Sequence, residues 1–106
     1  MGRELRLRKL TDDEADFWCA GGAGILREEV WVNEQEQVVR YNLAFLLPHL
    51  SAVDHGRILG YDNVHGVHER HFMGQVERVE HNGYRATVER FYREVAELRK
   101  GYKEKK

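Results

Sequence analysis

The sequence predicts an α+β fold. An antiparallel four-stranded meander sheet is covered by a C-terminal helix and preceded by a short N-terminal helix. Three observations carry this reading. Residues 37–47 alternate with the period of a strand. Tyr84, Val88, Phe91, Val95 and Leu98 recur at intervals of 4, 3, 4 and 3, which forms one stripe of an α-helix. Short connections join the segments before that helix, which suits antiparallel pairing.

Taken in order, Arg3–Lys9 alternates Leu5 and Leu7 with Arg6 and Arg8, as a short strand or an extended arm would. Thr11-Asp12-Asp13-Glu14 has the Thr-x-x-Glu form of a capping box and predicts a helix over 12–19. Glycines at 21, 22 and 24 end it. They lack the Lys-Ser/Thr of a phosphate loop and read as a flexible connection. Residues 25–32 form a strand ending in Val30-Trp31-Val32, and Asn33-Glu34-Gln35-Glu36 is a hairpin turn. In the strand over 37–47, Val39, Tyr41, Leu43, Phe45 and Leu47 share the expected core face. Pro48 stops pairing because it has no N–H for the ladder. Residues 49–55 are a loop, 56–61 a third strand and 68–79 a fourth. Asn82-Gly83 breaks the chain before the helix over 84–100, and the basic tail 100–106 is expected to fray. The chain is therefore one domain: 1–24 an arm and short helix, 25–80 the sheet, 83–100 the covering helix.

Composition bounds the function. A chain of 106 residues that is 42% hydrophobic can build one modest core and is too apolar for a disordered segment. No apolar run reaches the roughly 18–20 residues of a membrane span. Charge over Met1–Arg8 replaces the apolar segment of a signal peptide, and Cys19 has no internal partner. Both features predict a cytoplasmic protein. The net charge of −1 makes no global case for nucleic acid. Residues 57–106 hold eleven Lys/Arg against eight Asp/Glu, however, and all six histidines fall between 49 and 81. Cys19, Trp31 and Tyr41 read as packing residues. Glu77, Glu80 and the helix arginines Arg85, Arg90, Arg93 and Arg99 read as a solvated surface.

The informative stretch is Gly60-Tyr61-Asp62-Asn63-Val64-His65-Gly66-Val67-His68-Glu69-Arg70-His71-Phe72. Such a concentration of polar side chains at a strand–loop–strand corner is either solvated or employed. Asp62, Asn63 and Gly66 are also ordinary turn residues. The spacing His65-x-x-His68-x-x-His71 raises a metal site, but positions three apart on a strand face opposite sides, and the expectation is no metal and no cofactor. The other chemistry is metal-independent RNA cleavage, in which a base, an acid and a cation serve the phosphate. His68 and His71 would transfer protons, Arg70 would clamp phosphate, and Asp62 would orient a histidine or cap the turn. Tyr61, Asn63 and His65 would contact RNA. On a strand, His68 and Arg70 share one face and His71 takes the other, so both histidines reach one phosphate only across a bulge. A binding site for RNA or a protein uses the same residues without cleavage.

At this corner the chain resembles the TumE family, toxins of type II toxin–antitoxin modules. The likeness rests on Gly60-Tyr61-Asp62-Asn63, Gly66, His68-x-Arg70-His71-Phe72 and the closing helix with Phe91, over about 37–98. It implies a toxin encoded beside a helix-turn-helix antitoxin and acting on RNA, the ribosome or translation, by analogy with small ribosome-dependent endoribonuclease toxins. It directs attention to Asp62, His65, His68, Arg70 and His71. Exposed helix or edge-strand surface also leaves room for a homodimer.

Overall fold

The computed structural model describes residues 6–104. Its sheet has six strands in sequence order, all antiparallel: β1 Arg8–Cys19, β2 Gly22–Val32, β3 Val38–Leu46, β4 Arg57–Asp62, β5 Glu69–Phe72 and β6 Gln75–Arg78. One helix, α1 Tyr84–Glu104, follows. The meander and the covering helix agree with the sequence. The strand count does not, because two segments were misread.

Residues 12–19 are not a helix. They belong to β1, which pairs with β2 from Arg8↔Val32 to Cys19↔Gly22. The capping-box signal is local, whereas the strand is decided by what β1 packs beside. Phe17 and Cys19 point to the core face, and Phe17 stacks on Phe45 with centroids 5.5 Å apart. Glu14 on the opposite face receives Arg27 of β2 at 2.6 Å. The glycines are no flexible linker either. Ala20 and Gly21 both take positive φ, 54° and 82°, as a two-residue hairpin turn requires. Gly22 and Gly24 lie within β2, where Gly24 leaves room for the Phe17 ring.

The segment 68–79 is likewise two strands. Met73 and Gly74, with φ of 48° and 85°, fold β5 back onto β6. At the other end α1 runs on through 100–104, where fraying was expected. The part of the N-terminal arm before Arg6, together with Lys105 and Lys106, lies outside the described residues.

The core forms between one sheet face and α1. Tyr41, Leu43, Phe45, Leu47, Leu59 and Tyr61 from the sheet meet Phe91 and Val95 of the helix, all buried. Val39, the first residue of the predicted core face, is exposed beyond the helix. Among the described residues no α-helix lies on the opposite sheet face. Among the described residues no helix is long and apolar enough to cross a membrane.

Candidate functional site

Cross-strand register sorts the corner residues. Tyr61 pairs with Arg70 and Leu59 with Phe72, so these face the helix; Gly60 pairs with His71 and Asp62 with Glu69, so these face away. His68, two residues before Arg70, joins the helix side. The four residues expected to form one catalytic centre therefore divide two and two across the sheet.

On the helix side, Arg70 is a strut between sheet and helix. Its guanidinium meets Glu94 of α1 (Nε–Oε2 3.2 Å) and the Tyr61 hydroxyl (3.2 Å), and Tyr61 donates to Glu94. The hydrogen bond to Glu94 holds Arg70 above its ordinary value despite burial. Burial first, and then Glu94, pushes the Tyr61 hydroxyl up to about 12. For Glu94 itself burial acts upward, but the Arg70 and Tyr61 bonds outweigh it and hold the carboxyl below its usual value. Tyr61 is 1% exposed. It cannot stack on a base or donate to phosphate, which corrects its expected role, and Arg70 is not a free phosphate clamp.

His68 sits nearer the start of α1. It shares a 2.8 Å hydrogen bond with the Tyr41 hydroxyl and lies parallel to His81, ring centroids 3.7 Å apart. Burial and then the His81 charge hold His68 below its ordinary value. That favours the neutral form of His68, because a second positive charge in this stack would repel. His81 was not singled out by the sequence: it lies beyond the strand that carries the motif, and only the turn at 79–83 brings it back.

On the side away from the helix, buried Asp62 is the hub. Its Oδ1 accepts the Val64 N–H at 3.2 Å, and its Oδ2 lies 3.0 Å from His71 Nε2 and 3.4 Å from Arg57 Nη1. Asp62 thus caps the turn and adjoins His71. Arg57 was missed in the sequence, and the reason is local. The β3–β4 register shifts between Phe45 and Leu46, which turns Arg57 onto this face. Asp54 then holds its Nε at 2.7 Å, and Gly60, where a Cβ would stand 2.8 Å from Arg57 Cδ, lets the side chain lie across the strand toward Asp62. Glu69 completes the group and accepts His65 at 3.2 Å. Asp62, Glu69 and His71 each bring one donor atom to within 4.8 Å of the others. The alternation Glu69-x-His71 was legible in the sequence; its partner across β4 was not.

Asn63 has a structural task. Its Oδ1 accepts the Tyr41 N–H at 3.0 Å and its Nδ2 donates to Val39 O at 2.8 Å, continuing the β3 ladder where β4 has ended. His65 is the exposed member, with 75% of its side chain accessible. A cleft of about 460 Å³ lies beside Trp18, Cys19 and Arg99, and one of about 350 Å³ is lined by Arg70 and Glu94 together with Phe72, Leu98 and Tyr102; none of the motif histidines lines either.

Comparison of the chain with protein-family models, curated proteins and solved structures gave no match.

Proposed function

We propose that the chain is the toxin component of a type II toxin–antitoxin module that acts on RNA or translation by binding, with the β4–β5 corner as its contact surface. The class rests on the residues shared with the TumE family. The choice of binding over two-histidine cleavage rests on one observation. His68 and Arg70 lie on one side of the sheet and His71 on the other, with Arg70 already bound to Glu94. A phosphate held by Arg70 is out of reach of His71, and a phosphate at His71 has no access to His68. Cleavage by paired acid and base needs both groups within hydrogen-bond reach of the same phosphodiester. The exposed tip around Val64, His65 and Gly66 offers the surface that remains. A helix-turn-helix antitoxin would oppose the toxin by covering it.

The test is induction of the chain in a bacterial host without an antitoxin, followed by mapping of RNA ends. Growth inhibition with RNA or ribosomes retained on the purified protein, falling with salt and without new 2′,3′-cyclic phosphate ends, is the expected result. New cyclic-phosphate ends that disappear in folded His68→Ala or His71→Ala protein would restore the cleavage reading. Absence of growth inhibition would remove the toxin class.

A further inference from the structure

We propose that Asp62, Glu69 and His71 form a binding site for one divalent transition-metal ion of the zinc class, on the open face of the β4–β5 pair. The inference concerns the ion alone and stands whether or not RNA is the target.

The first support is placement. Asp62 and Glu69 are directly cross-strand, and His71 is two residues along β5 on the same face. Their donor atoms fall within 4.8 Å of one another, and ligands at roughly 2.0–2.2 Å from a common ion stand about 3–4 Å apart. An independent second support is an orphaned atom. His71 is 8% exposed, and its Nε2 has no hydrogen-bond partner: the Asp62 oxygen at 3.0 Å lies off the line a ring N–H requires. A buried ring nitrogen without a partner is costly, and this one lies 3.0 Å from an Asp62 oxygen, where an ion shared with the carboxylates would satisfy it.

Charge points the same way. Asp54, Asp62 and Glu69 oppose the single Arg57 guanidinium, which leaves two negative charges on these groups for one dication. One imidazole with two carboxylates selects zinc, manganese or iron over magnesium and calcium, which prefer all-oxygen shells. Arg57 on Asp62 and His65 on Glu69 occupy the outer positions that orient ligands in metal sites. The three histidines of the motif do not make the site together, since His68 lies across the sheet.

The experiment uses the full chain stripped with chelator, titrated separately with Zn²⁺, Mn²⁺ and Mg²⁺ by calorimetry, with thermal unfolding followed in parallel. One Zn²⁺ or Mn²⁺ per chain is expected, with a melting temperature that climbs as free ion exceeds its dissociation constant, and no response to Mg²⁺. His71→Gln and Glu69→Gln should each weaken binding at least 10-fold, while His68→Gln on the opposite face binds as wild type. If His71→Gln does not fold, the more exposed Glu69→Gln decides. No binding at millimolar ion, binding unchanged in Glu69→Gln, loss in folded His68→Gln, or a preference for Mg²⁺ would each overturn the assignment.

Discussion

Replacing Glu94 by alanine tests the central reassignment, that Arg70 holds the helix to the sheet. The carboxylate receives Arg70 Nη2 at 2.5 Å and Nε at 3.2 Å as well as the Tyr61 hydroxyl, and Arg90 approaches at 3.6 Å. Exposed ion pairs contribute about 0–1 kcal/mol, and breaking a fully buried pair costs about 3–5 kcal/mol. Arg70 and Glu94 are about a fifth exposed, at 18% and 21% of their side chains, while Tyr61 is fully buried. The loss should therefore lie between these limits, at about 2–3 kcal/mol, or roughly 10–20 °C of melting temperature for a domain of this size. Urea unfolding followed by circular dichroism measures it. The paired change Arg70→Met with Glu94→Leu should recover only part of the loss: no charge is left stranded, but the buried Tyr61 hydroxyl loses both partners. Acid adds a sign. Glu94 titrates below its unfolded value, so its stabilisation is complete above about pH 4.5 and fades as pH falls through the folded value; Glu94→Ala lacks that contribution. A Glu94→Ala protein within about 0.5 kcal/mol of wild type would refute the strut.

The stacked histidines predict a second pH effect. His68 titrates below its unfolded value, so stability falls as pH drops below about 6.5, by at most about 1.4 kcal/mol per pH unit. Urea midpoints at pH 7.5 and 5.5 read this, and an equal drop in His68→Gln would exclude the pair as its cause. Asn63→Ala removes two hydrogen bonds to the β3 backbone and should cost about 1–3 kcal/mol, with faster hydrogen exchange at the Tyr41 amide. Unchanged exchange there would deny Asn63 its part in the ladder. Gly24→Ala sets a Cβ 2.5 Å from Phe17 and 2.8 Å from Leu47, an overpacking expected to cost about 1–3 kcal/mol. A neutral result in chemical denaturation would mean that β1 does not press on β2 there.

The sheet was legible where side-chain alternation and burial coincide, as in β3, and the helix where its apolar stripe is complete from Tyr84 to Leu98. It was not legible in β1, where only Phe17 and Cys19 at the end of the strand reach the core while Asp13 and Ala15 on the same alternation stay exposed, and whose acidic start imitates a helix N-terminus. The two hairpin turns were hidden for a related reason. Ala20-Gly21 and Met73-Gly74 place a residue with a Cβ at positive φ, where Asn or Asp is the usual marker. At the corner, alternation alone separated His68 and Arg70 from His71. That Glu94 receives Arg70, and that Arg57 crosses Gly60 to reach Asp62, depends on helix placement and a register shift, neither of which is written in the motif.

Strand β5 is a key cut on both edges. Arg70 fits Glu94 only from beneath the helix, and His71 fits Asp62 only from the other side. Sliding β5 by a single residue would turn it over: Glu69 and His71 would be thrust under the helix against Glu94, and Arg70 would be lifted away from Glu94 and the Tyr61 hydroxyl. A mispaired chain would suffer both misfits together, so these polar side chains act as a check on alignment during folding, in a strand too short for apolar contacts to do so unaided.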